Sequence, residues 1–133
     1  MLDTDMARYV IKGRSPEVAS RLAEIPPSMV CVSAMTRAEL MYGLRQLPEG
    51  HRMRLGLRRF LRLVQVLAWD SDAADYYAEI RHQVIASRRP IGELDMMIAA
   101  HSLSVGAVLV TSNTRYYAQM VAPLTMVRWT ATT

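Results

Sequence analysis

Hydrophobic positions along this chain alternate between two kinds of run. Short apolar stretches, Met29 to Ser33, Gln65 to Trp69, Ala107 to Val110 and Thr125 to Trp129, read as strands, and longer stretches with helical spacing separate them. Behind a very short first strand at Met1-Leu2, a helical stretch runs from Asp3 to about Ile11. Ser15 and Pro16 open a second helix, which reaches Glu24 before Pro26-Pro27 stops it. Thr36 to Gln46 reads as a helix closed by Pro48-Glu49-Gly50. His51 to about Val64 reads as another, burying Leu57, Phe60, Leu61 and Val64. Asp70 and Ser71 cap a long helix that ends near Ser87. Pro90 and Gly92 fix the start of the next, and its residues Met96 to Ala100 are all apolar, so it belongs in the core. A short helix around Arg115 to Met120 precedes the last strand. The alternation predicts an α/β domain with a mainly parallel sheet of about five strands.

Composition narrows this picture in two ways. The 133 residues, 51% of them hydrophobic, fill one core and not two, so residues 1–133 read as a single domain. The lone cysteine, Cys31, lies in an apolar run and has no internal disulfide partner, which suits core packing in a reducing compartment. No secretory leader opens the chain, and no apolar run approaches the roughly 18 to 20 residues of a membrane span. The expectation is a soluble, cytoplasmic protein with no membrane partner. Its net charge of +4 is carried almost wholly by arginine, Lys12 being the only lysine. Arginine suits phosphate contacts, though a genome rich in G and C produces the same bias.

The candidate chemistry lies in where the acids fall. Ligands of a parallel sheet gather outside the carboxyl ends of its strands, and Asp3 stands at such an end. Asp95 opens one helix, Glu39 lies early in another, and Asn113 follows the strand ending at Val110-Thr111. Grouped carboxylates repel one another and are stable around a hard cation with oxygen ligands, magnesium or manganese. His51, His82, His101 and Cys31 show no zinc-ligand spacing. Each of these four residues also has a plainer role. Asp3 suits a strand-end turn, Glu39 an exposed helix face, Asn113 a helix cap, and Asp95 a first turn where the helix dipole favours it. Glu93 reads as a surface residue, and His101 as a hydrogen-bonded core histidine. Arg54, Arg58 and Arg62 share a helix face that reads as solvated ahead of phosphate-binding.

Met1-Leu2-Asp3-Thr4-Asp5, Ser33 to Gly43 with Thr36 and Glu39, Arg89-Pro90-Ile91-Gly92-Glu93-Leu94-Asp95 through His101, Val110-Thr111-Ser112-Asn113-Thr114 and the closing Trp129 together resemble the VapC toxins of the PIN-domain ribonucleases. The likeness covers nearly the whole chain. It implies a PIN-like three-layer α/β/α sandwich, a homodimer, and a magnesium-dependent endoribonuclease of a bacterial toxin–antitoxin pair. Its partners would be RNA and a cognate VapB antitoxin, in a toxin–antitoxin hetero-oligomer. By the resemblance Asp3, Glu39 and Asp95 occupy the acidic metal-site positions, and Asn113 the polar position after the fourth strand. The family usually has asparagine where this chain has Asp5. Many members carry an acid and then phenylalanine where this chain has Tyr116 and Tyr117. Arg88, Arg89 and Arg115, beside the same edge, are the expected RNA contacts. The alternative is a PIN-like module that binds RNA or protein without cutting, against which the three intact acids stand. A phosphoacceptor receiver would need a lysine near the last strands, and none follows Lys12.

Overall fold

The structure, a computed structural model, describes residues 1–88, 90–118 and 124–129. Its helices are α1 (Thr4–Lys12), α2 (Pro16–Ala23), α3 (Ala34–Arg45), α4 (Arg52–Leu63), α5 (Ser71–Ala86), α6 (Glu93–Ser104) and α7 (Thr114–Tyr117). The strands are β1 (Cys31–Ser33), β2 (Gln65–Leu67), β3 (Leu109–Val110) and β4 (Met126–Val127). β1 pairs in parallel with β2, Val32 opposite Val66, and β3 with β4, Leu109 opposite Met126. Leu2 joins the two pairs, bridging in parallel to Val32 on one side and Val110 on the other. The sheet therefore runs β2-β1-Leu2-β3-β4. The expected first strand is reduced to that bridging residue, because Asp3 already turns away to cap α1, and the described strands number four rather than five.

Side chains alternate across this sheet and divide the core in two. Leu2, Val32 and Val110 face Met6 and Ala7 of α1, Val18 of α2, Leu40 of α3 and Leu57 and Phe60 of α4. Met1 and Leu109 face the other way, toward Ile80 and Val84 of α5 and Met96, Ile98, Ala99 and Ala100 of α6. Helices thus cover both faces, the expected three layers. Trp69 ties its loop to α6, its indole N–H donating to the Met97 carbonyl at 2.9 Å.

Most helix starts follow their caps. Ser15 accepts from the Val18 N–H, Asp70 from the Ala73 N–H, and Asp3 from the Met6 N–H. α3 starts two residues ahead of expectation because the Ser33 hydroxyl accepts from the Met35 N–H. The strand expected from Met29 is shorter, since Pro27–Met29 form a 3-10 turn that leaves Met29 73% exposed. Cys31 is half-buried against the α5–α6 core. Leu57 and Phe60 are buried as expected, with Leu61 and Val64 half-buried beside them. The final two residues of the expected helix to Met120 lie outside the described residues.

Arg54 departs from the solvated face assigned to it. Its guanidinium donates to the carbonyls of Pro48 (3.1 Å), Leu44 (3.2 Å) and Leu47 (2.8 Å), which closes the carboxyl end of α3 against α4. Arg58 and Arg62 are exposed. Arg54→Ala is therefore expected to cost about 1–3 kcal/mol in urea unfolding, while Arg58→Ala stays within about 0.5 kcal/mol. Equal effects at the two positions would remove the clamp.

Candidate active site

Each acid of interest owes its place to the end of a strand or the start of a helix. Asp3 follows Leu2 in the sheet. Its N–H donates to the Val110 carbonyl (3.1 Å), and its carboxylate holds the first turn of α1 through the Met6 N–H (2.8 Å). Asp95 lies in the first turn of α6, whose N-cap Gly92 contributes no side chain, so the free N–H groups favour a carboxylate there. Glu39 lies three residues beyond Thr36, one turn along the same face of α3. The Thr4 hydroxyl donates to the Glu39 carboxylate at 2.7 Å. Thr4 and Thr36 are 3.1 Å apart, and since the only Thr4 hydroxyl proton is spent on Glu39, Thr36 is the donor to Thr4. A relay from Thr36 through Thr4 to Glu39 thus links α3 to α1.

The charges of these acids act on one another. Asp3 is 4% exposed, and burial first, with the negative charges of Asp5 and Asp95 adding, pushes its pKa up to about 6 against hydrogen bonds from Thr111 and the Met6 N–H. Burial, followed by the charges of Asp5 and Glu39, raises Asp95 as well, while bonds from Tyr116 and Tyr117 oppose the rise. Tyr117 is buried, and burial together with the charges of Asp95 and Asp3 holds its phenol in the protonated, donating form. Every one of the three acids therefore has a hydroxyl partner. The described ion pairs, Arg8–Asp5 and Arg81–Glu93, include none of them. Among the described residues no group of three histidine, cysteine or acidic side chains stands close enough to clasp a metal ion. By donor chemistry the set fits a hard divalent cation: it is all oxygen, and the ion pairs among the described residues do not draw on it.

Asn113 is exposed at the N-cap position of α7 but its side chain makes no capping bond; its own N–H donates to the Thr111 hydroxyl (3.1 Å). Arg115 and Arg88 are exposed, Arg88 in a left-handed backbone conformation (φ 56°) just past α5. Arg89 lies outside the described residues. Glu93 bonds to the Tyr77 hydroxyl at the surface. His101 is 1% exposed with Nδ1 2.7 Å from the Ser33 hydroxyl, and burial lowers its pKa, as suits a neutral core histidine. The polar partners Thr4, Thr36, Thr111, Tyr116 and Tyr117 were not legible as such. Only Thr36 carried a signal, its helical spacing from Glu39.

A parallel sheet with acids along its carboxyl edge, helices on both faces and Asp3 at its centre is the architecture of a PIN domain, and the family described by that name matches residues 1–120. The chain belongs to this family and, within it, to the VapC ribonucleases. It is 33% identical to the tRNA(fMet)-specific endonuclease VapC of Shigella flexneri over 88% of each chain. It is 35% identical to a ribonuclease VapC of Haemophilus influenzae over 92% of each. Among solved structures it resembles DNA-bound VapBC from Salmonella typhimurium (TM-score 0.88, 30% identity, 98% of this chain and 97% of that one). It likewise resembles VapBC-1 from nontypeable Haemophilus influenzae (TM-score 0.86, 30% identity, 98% of each).

Proposed function

We propose that this VapC ribonuclease is the toxin of a bacterial toxin–antitoxin pair and hydrolyses RNA phosphodiester bonds with magnesium, or manganese, held by Asp3, Glu39 and Asp95. The observation that carries the metal reading is electrostatic. Asp3 at the N-cap of α1, Glu39 on α3 and Asp95 on α6 lie close enough for the charge of Asp95 to act on Asp3 and that of Glu39 on Asp95, each acid has a hydroxyl partner, and the described ion pairs include none of them. A hydroxyl orients a carboxylate without cancelling its charge, so the cluster keeps its attraction for a cation. When bound, the cation supplies offsetting charge for the scissile phosphate and a more acidic water. Asn113, exposed at the edge, orients substrate or water, and Arg88 and Arg115, with Arg89, hold flanking phosphates.

A VapB-type antitoxin is the natural partner, since the solved relatives are VapBC complexes. Between α1, α3 and α4 an apolar groove lined by Ile11, Leu40, Leu44 and Leu57, with Arg8 and Lys12 beside it, suits an antitoxin helix, and a basic residue of its tail would reach the acids. Homodimerisation and residence in the bacterial cytoplasm complete the reading. No helix among the described residues is long and apolar enough to cross a membrane.

Purified protein should cut RNA with magnesium present and stop on addition of chelator, and sequencing the cut ends would define the target. Cleavage indifferent to chelator would exclude the metal. Binding of RNA with no cleavage under any divalent ion would leave a non-catalytic binding module.

A further inference from the structure

The proposed chemistry leaves one deeply buried titratable group unused, His101, which lies beyond Asp95 on α6 and is 1% exposed. Its Nδ1 stands 2.7 Å from the hydroxyl of Ser33, the fully buried N-cap of α3. Its Nε2 is buried with no hydrogen-bond partner among the described residues. Proton counting gives the direction of the Ser33 bond. Burial keeps the ring neutral, with a single N–H, and the Ala68 carbonyl favours a proton on the ring. With Nδ1 turned to Ser33, Nε2 is the nitrogen that carries it. Ser33 therefore donates to Nδ1 while accepting from the Met35 N–H at 3.1 Å.

This bond ties together two helices that their acids drive apart. Glu39 lies on α3 beyond Ser33, and its negative charge is among those that act against a charged Asp95 on α6. Without a cation that repulsion pushes α3 away from α6. Among the described residues no other hydrogen bond joins α3 or its cap to α6, so the opposing directional contact is Ser33 to His101. Acids that must first be drawn together bind a cation more weakly than acids already assembled. We infer that His101 is a positioning residue for the metal site: through the Ser33 hydroxyl it holds α3 against α6, so that Glu39 and Asp95 meet one cation without rearrangement. The inference rests on the metal-dependent ribonuclease reading and adds a determinant of metal affinity that lies outside the ligands.

The test reads metal binding apart from cleavage. Manganese uptake, followed by the paramagnetic resonance signal of the free ion, is measured without RNA for the full chain, His101→Leu, His101→Asn and Ser33→Ala. His101→Leu keeps the core apolar but removes the acceptor, and should bind manganese about tenfold more weakly. His101→Asn returns an acceptor to the place of Nδ1 and should recover most of that loss. Ser33→Ala breaks the same bond, so combined with His101→Leu it should lose no more than the weaker single variant. In cleavage assays His101→Leu should need about tenfold more magnesium, with KM for RNA and the rate at saturating metal unchanged. Should His101→Leu fail to fold, Ser33→Ala set against Ser33→Thr, which keeps the hydroxyl, carries the same comparison. A lower urea midpoint in chelator with manganese affinity unchanged would make His101 a packing residue and overturn the inference. A loss that His101→Asn does not recover, or one that adds in the double variant, overturns it too. If the parent takes up no manganese, the metal reading falls and the inference with it; if the parent binds and the folded variants match it, the inference falls alone.

Discussion

Asp3→Asn is expected to give a protein that is more stable than its parent at neutral pH in the absence of divalent metal. Burial raises the folded-state pKa of Asp3 from 3.8 to about 6, so the folded protein holds this proton more tightly than the unfolded chain does. The resulting stabilisation is complete below the unfolded value of 3.8 and is lost as pH rises through about 6. Above that, the charged carboxylate costs on the order of 3 kcal/mol relative to the protonated one. Asparagine removes the charge and still offers an oxygen to the Met6 N–H, so the α1 cap survives. Asp3→Ala would lose that cap as well, giving back about 1 kcal/mol of the gain. Urea unfolding in chelator at several pH values decides it. The parent should weaken between acid and neutral pH while Asp3→Asn does not, and a slope that persists in the variant would place the titration elsewhere. Added magnesium should stabilise the parent and leave the variant little changed.

Asp95→Asn is expected to reduce RNA cleavage by at least about a hundredfold, the scale on which removing one charge-stabilising group acts. Its effect on folding distinguishes the two roles of the residue. As a dipole-favoured acid in the first turn of α6, Asp95 contributes about 0.3–1 kcal/mol. As a member of a cluster it is repelled by Asp5 and Glu39 and penalised by burial. The second effect should win, so thermal melts without metal should show an unchanged or higher midpoint. A clear fall with cleavage retained would return Asp95 to a purely structural role.

The parts of this molecule legible in the sequence were those set by local chemistry. Ser15, Asp70 and the Pro90–Gly92 turn announce helix starts through short-range capping, and all three stand where expected. Asp3, Glu39 and Asp95 could be expected near one another because the parallel alternation gathers strand carboxyl ends at one edge, and the charge of Asp95 acts on Asp3 and that of Glu39 on Asp95. What escaped was set by pairing across the fold. The protons on Thr4, Thr111 and Tyr117 reach acids far away in the chain, and no spacing within one segment encodes that. Arg54 looked like one more arginine on a polar stripe, because its carbonyl partners at Leu44 and Leu47 belong to the end of the preceding helix. His51 likewise caps α4 with a ring nitrogen, a role its residue type does not advertise.

The hydroxyl ties around the acids also govern the response to ionic strength. Ion pairs weaken as electrolyte is added, whereas bonds from threonine and tyrosine hydroxyls do not depend on the ionic atmosphere in the same way. The described ion pairs of this chain lie at the surface and contribute little. The repulsion that Asp5, an exposed residue, exerts on Asp3 and Asp95 is what dissolved salt can reach. Monovalent salt should therefore firm up the metal-free protein rather than loosen it, acting as a diffuse and weak substitute for the divalent ion.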